Sequence, residues 1–305
     1  MRKRWHIPED RVFQSKPQIA LDMVKAAKAN HFPFKIVDCD SVYGCDTEFR
    51  IGLNDENILY IADIHSTTPI YLNRPVVGIP QTPEGRRGRP YSKYQVLSEE
   101  KFVEPRSLIE TLHFDWVFAR DTERGGLTIK CATRRVWIVA DNGKILEESL
   151  FVRQESNGEY RFSLSNLPVS TSLEEMACYR CKRYFVERTF QDAKSELGWD
   201  ELVARKYRAW MHHAALTSLA LWFASEIKLD WAVQYPRDPE LSRELEISNL
   251  PSLSIANIRE LLKAVLPLPT LTLEDAIHIV IKHFLNRSRS KACRRRQERR
   301  RYQFT

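Results

Sequence analysis

Asp40 ends a short apolar run in "KIVDCDSVYGCDTEFR" (35–50), where a strand gives way to a tight turn. Far downstream, in "RYFVERTFQDAKSELG" (183–198), Arg183, Glu187 and Lys194 are spaced i, i+4 and i+11. At about 3.6 residues per turn these three share one helix face, with Val186 and Phe190 expected to turn inward beside them. A carboxylate at the carboxyl end of a strand can meet another from a helix packed against it. Two such groups can hold Mg2+, a hard cation that prefers oxygen ligands. A pair of metals on shared carboxylates activates a nucleophile and stabilises the leaving oxygen in phosphoryl transfer. The cations beside Glu187 (Arg183, Arg188 and Lys194) would then face the backbone of DNA. Taken alone, the same stripe also fits a solvated helix face whose Arg–Glu pair contributes roughly a few tenths of a kcal/mol.

The elements that must position these groups are legible. "KPQIALDMVKAAKANHF" (16–32) reads as a helix with Pro17 in its first turn and an apolar stripe of Ile19, Met23, Ala26 and Ala27. "FKIVDC" (34–39) follows as a strand, Asp46 caps a helix through Leu53, and "ILYIADI" (58–64) reads as a buried second strand. Residues 76–94 carry the turn residues and charges of a loop. Between 113 and 165, four runs rich in β-branched and aromatic residues are separated by "DTERGG", "DNG" and "SNGE", which predicts an antiparallel meander. A helix over 170–198 opens on a Ser172–Glu175 capping box and closes on Gly198. A long helix or helix pair over 200–231 and two smaller amphipathic helices complete the chain.

Composition restricts the classes. With 305 residues and 43% apolar side chains, the chain can bury a sizeable core. Its longest apolar run, "AALTSLALWFA" (214–224), is 11 residues, too short to span a membrane. Six irregularly spaced cysteines suit a reducing compartment, which gives a cytoplasmic, nucleoid-associated expectation. The net charge of +7 is concentrated in "NRSRSKACRRRQERRR" (286–301), whose nine Lys and Arg and one Glu exceed the charge of the whole chain. Such a basic arm, here centred on Arg294, Arg295 and Arg296, binds nucleic-acid phosphates or other polyanions.

These features together resemble the DDE transposases of bacterial insertion sequences, in the class that carries a β insertion. In that class the second acid opens a D-x-x-Y-G turn, matched by Asp40-Ser41-Val42-Tyr43-Gly44. The final acid lies in Y-x2-R-x3-E-x6-K, matched by Arg183, Glu187 and Lys194; position 180, where the tyrosine would stand, is Arg180. The resemblance spans roughly 8–230, and its acids are 147 residues apart. It implies an α/β ribonuclease-H-like core with an inserted antiparallel β domain and a helical C-terminus. The expected division is 1–65 (partial core with the second acid), 66–170 (loop and β insertion), 171–232 (core-completing helices with the final acid) and 233–305 (C-terminal helices and basic tail). It further implies Mg2+ held by Asp40 and Glu187 in a two-metal site, and DNA strand cleavage and transfer as the activity. Transposon-end and target DNA are the implied partners, with Trp137, Trp116 and Arg135 of the meander against a displaced base. Trp137 also fits a plain packing role in the sheet core.

The pattern breaks at the first acid. It belongs on a strand upstream of the 17–30 helix, where the chain offers only Glu9 and Asp10 in a polar loop. The expectation is therefore a core truncated at its N-terminal side, a metal site lacking one ligand, and a sheet that begins at an open edge. Asp38 points to the same side of the strand as Asp40 and is at best an auxiliary ligand. Such a chain would be a homodimer or pair with a full-length transposase. As an alternative, it would be a non-catalytic DNA-binding fragment or a regulator of the complete enzyme. Cys178 and Cys181 form a C-x-x-C inside a helix with no second metal pair nearby, and His212 and His213 read as packing or interface residues.

Overall fold

A computed structural model describes residues 2–81, 90–122, 125–234, 253–266 and 272–302. The chain divides into two compact units, Met1–Ser218 and Leu219–Thr305.

In the first unit, helix α1 (Lys16–Ala29) starts as the sequence requires. The Ser15 hydroxyl accepts from the Gln18 N–H, the Gln18 side chain accepts from the Ser15 N–H, and Pro17 occupies the first turn, where no N–H partner is needed. Strand β1 (Val37–Cys39) then runs parallel to β2 (Tyr60–Ile64). Between them lie the single-turn helix α2 (Ser41–Gly44) and α3 (Thr47–Asp55), capped by the Asp46 carboxylate, which accepts from the Phe49 N–H at 2.9 Å. The expected loop over 76–94 contains a minimal hairpin, β3 (Val77–Gly78) with β4 (Gln95–Val96), while its basic portion, 82–89, lies outside the described residues.

Strands β5 (Asp115–Thr122), β6 (Gly125–Val139), β7 (Ile145–Gln154) and β8 (Tyr160–Ser165) form the expected meander. They are continuous with β1 and β2. The antiparallel β2–β8 pairing makes one six-stranded sheet of order β1-β2-β8-β7-β6-β5, with β1 as an end strand. One face packs Val136, Ile138, Leu146, Leu150, Phe162 and Leu164 with Ile51 of α3 and Leu108. Beside them, α1 and α3 cover Cys39, Tyr60 and Ala62. On the opposite face, Ile61, Val117, Ala119, Cys131 and Phe151 pack against Met176 and Ala177 of α4 (Leu173–Cys181).

The helix expected over 170–198 is two helices, α4 and α5 (Tyr184–Leu197). Both predicted ends hold: the Ser172–Glu175 capping box is formed, and Gly198 adopts φ +66° at the C-terminus. The break at Lys182–Arg183 contains neither Gly nor Pro. The N–H groups of Lys182, Phe185 and Val186 each bond three residues back, so the backbone tightens locally. Val186 and Phe190 do not turn inward: they are half exposed, and Phe190 meets Trp199 edge-on at 5.6 Å between centroids.

Helix α6 (Tyr207–Gln234) follows. In the second unit, Ala224, Ile255 and Ile258 form a small core with α7 (Ile255–Val265). Helix α8 (Leu273–Tyr302) is longer than the amphipathic helix expected there, because it continues through the basic run.

Candidate active site

Asp40 follows the last residue of β1 and caps α2: its Oδ1 accepts the Val42 N–H at 3.0 Å. Its other oxygen, Oδ2, accepts from Arg183 Nη2 at 3.5 Å. Arg183 Nη1 simultaneously donates to Glu187 Oε1 at 2.7 Å. The fold thus brings Asp40 and Glu187 to one guanidinium, and the helix break is what sets Arg183 between them. All three are accessible, with Arg183 at 25%, Asp40 at 41% and Glu187 at 66% side-chain exposure.

The turn that carries Asp40 is held from below. Gly44 ends α2 directly over β2, where a Cβ would collide with the Asp63 carbonyl. Its own carbonyl accepts from Arg50 Nη1. Arg50 is fully buried, its Nε donates to Glu148 Oε1 at 3.1 Å, and the Tyr60 hydroxyl donates to the same oxygen at 2.6 Å. Burial, followed by the Glu148 charge, pushes the Tyr60 phenol well above its ordinary value, so it stays a donor. This triad from α3, β7 and β2 fixes the floor beneath Asp40.

Asp38 belongs to a second polar cluster. Arg180, only 4% exposed, donates to both Asp38 oxygens at 2.9 and 3.1 Å and to Asp63 Oδ1 at 3.0 Å. Asp63 also accepts from Ser163 Oγ at 2.6 Å and Arg153 Nη1 at 3.3 Å. Burial pushes the Asp38 carboxyl up to about 7, an effect the Arg180 charge only partly offsets. Burial acts on Asp63 in the same sense, but Arg180 and Arg153 together hold it below the usual carboxylate range. The two acids differ because Asp63 has two guanidiniums and a hydroxyl, whereas Asp38 has one guanidinium shared with a competing carboxylate.

The remaining sequence candidates occupy different places. Arg188 pairs with Asp192 across one turn at 3.2 Å, and Lys194 is exposed on the same helix. Arg135 donates to Ser149 Oγ at 2.9 Å and pairs with Glu147 at 3.1 Å. Trp137 is half-buried, and its backbone bridges to Tyr71. By register, Arg135 and Trp137 share the sheet face of Asp38 and Asp63, whereas Trp116, 71% exposed, lies on the opposite face. His213 Nε2 donates towards the Gly198 and Trp199 carbonyls, each at 3.1 Å, and so closes the end of α5. Cys181 packs against the core around Cys131 at the end of α4. Arg294, Arg295 and Arg296 lie on α8, in the other unit, with Arg295 and Arg296 exposed. Among the described residues, no group of three or more His, Cys, Asp or Glu converges closely enough to hold a metal ion. No described helix is long and apolar enough to cross a membrane.

Arg180, Asp63, Arg153 and the Arg50–Glu148–Tyr60 triad had no place among the sequence candidates. One signal did mark Arg180: it stands where the resembled motif has tyrosine. Glu148 carried a weaker one, an acid at an alternating core position of β7, whose neighbours in that phase, Leu146 and Leu150, are buried.

Residues 1–125, a stretch that includes β1, the Asp40 turn and β2, match the family model described as DDE superfamily endonuclease. No curated protein matches the chain. The match supports a DDE-type transposase, a nuclease-like family that acts on DNA.

Proposed function

We propose that Asp40 and Glu187 are two metal-binding carboxylates of a DNA strand-cleaving and strand-transferring site, the second and final acids of an insertion-sequence transposase. The observation that carries this reading is their convergence on Arg183 from positions 147 residues apart. A guanidinium bridging two carboxylates occupies the place of a bridging cation, and two carboxylates with phosphate oxygens and water make a donor set suited to Mg2+. Mg2+ held there would polarise a phosphodiester and stabilise the leaving oxygen. Arg183, Arg188 and Lys194 would position the DNA backbone along α5. The six-stranded sheet would be a ribonuclease-H-like core extended by the inserted meander, with the divisions near 65, 170 and 232 marking segments along the chain and not separate compact bodies.

The first acid of such a site would arrive on a further strand added to β1, an end strand of the sheet. That strand and its acid would come from a longer transposase chain, not from another copy of this one. Pairing of this kind also fits the second reading, a regulator that binds DNA through the basic run of α8 and occupies a complete enzyme.

The test uses the purified chain with a duplex and a supercoiled plasmid in Mg2+. Salt-sensitive duplex binding and an intact plasmid are expected. Asp40-dependent nicking by this chain alone would overturn the missing-acid reading, and absence of duplex binding at low salt would overturn DNA as the substrate.

A further inference from the structure

Among the described residues, Arg183 is the one cation that touches both candidate metal ligands, at 2.7 Å from Glu187 and 3.5 Å from Asp40. The neighbouring charges are committed elsewhere: Arg180 to Asp38 and Asp63, and Arg188 to Asp192. We infer that Arg183 is an internal counter-ion of the Asp40–Glu187 pair, which a divalent cation must displace, so that its charge sets how readily the pair loads. This inference rests on the reading of those two acids as metal ligands.

The chemistry follows from charge and reach. Two carboxylates sharing one guanidinium retain a net negative charge, which still attracts a divalent cation. A dication between the same oxygens would lie within a few ångströms of the guanidinium. Even at the screening of a partly exposed site, that repulsion weakens loading by about tenfold. Arg183 and Glu187 are both accessible, so the long side chain can leave without disturbing a core. Arg183 lies on the helix face it shares with Lys194, so the released guanidinium moves towards the place proposed for the phosphate backbone. A phosphate that takes up Arg183 frees the carboxylates, and a metal that takes the carboxylates frees Arg183. By linkage, each event favours the other.

The probe is Mn2+, followed by the electron paramagnetic resonance of the free ion, on the full chain. R183Q removes the charge, R183K keeps it, and D40N in each background identifies binding at the site. Arg183→Ala takes the place of R183Q should that variant not fold, as judged by circular dichroism. The expected result is Asp40-dependent Mn2+ binding about tenfold tighter in R183Q than in the parent chain, with R183K within about threefold of the parent. Detectable site binding in R183Q alone would support the inference equally. Asp40-dependent binding by the parent with no gain in R183Q would overturn the counter-ion role and leave the metal reading standing. Absence of Asp40-dependent binding in every variant would overturn both.

Discussion

Arg180 and Arg183 are three residues apart, each facing two carboxylates, yet their surroundings give them different roles. Arg180 is buried and holds Asp38 and Asp63 in a fixed network. Arg183 is partly exposed and holds Asp40 and Glu187 in an arrangement that can exchange. Truncating one partner of a buried ion pair leaves an uncompensated charge and costs about 3–5 kcal/mol, whereas an accessible pair contributes about 1 kcal/mol or less. In urea denaturation, R180A should therefore lose several times more stability than R183A. Tyr60 gives a pH-dependent counterpart. Its folded pKa is raised above the unfolded value of 10.0, so its contribution is complete below pH 10 and is lost as pH rises through the folded value. Y60F should cost about 1 kcal/mol at neutral pH and show a shallower loss of stability above pH 10, measured by thermal melts across that range. Asp40, Glu187 and Arg183 could be singled out because a turn motif and a helical spacing mark them. The partners of Arg180 lie 142 and 117 positions away, and no periodicity connects them to it.

Elements were most legible where a local side chain terminates them. Ser15, Asp46, Ser172 with Glu175, and Gly198 all cap as their types require, because each bond spans only a few residues. The turn between β6 and β7 formed for the same reason: Asn142 Oδ1 accepts the Lys144 N–H at 2.9 Å, and Gly143 takes φ +82°. The break between α4 and α5 was not legible. No helix-breaking residue marks it; what accompanies it is a pair of arginines, Arg180 before the break, which reaches Asp38 and Asp63 on the sheet, and Arg183 at the break, which reaches Asp40 just past the end of β1. The basic run proved to be helical, so exposed cations such as Arg287, Arg289, Lys291, Arg295 and Arg296 stand on a rod instead of a coil. Each phosphate neutralised contributes about 0.9 to the slope of log affinity against log salt. Deleting 286–305 should therefore lower duplex affinity and flatten that slope, as read from binding isotherms between low and physiological salt. An unchanged slope would show that α8 takes no part in DNA binding.

At the scale of the molecule, the expected boundary near residue 65 falls between strands that the β2–β8 pairing joins in one sheet. Pattern alone identified the individual strands but could not supply this pairing, since β2 and β8 are separated by the whole meander. The sheet makes β2 a common reference for both halves of the site. Its Tyr60 is part of the triad under the Asp40 turn, its Asp63 is part of the Arg180 cluster, and its backbone lies beneath Gly44. Five residues thus answer to three separate geometric demands, and a change that relieves one offends another. Mutational drift among descendants of this sequence would accordingly be channelled away from β2, into exposed positions outside the proposed site. Tyr60–Ile64 would persist as the datum from which widely diverged copies could still be aligned.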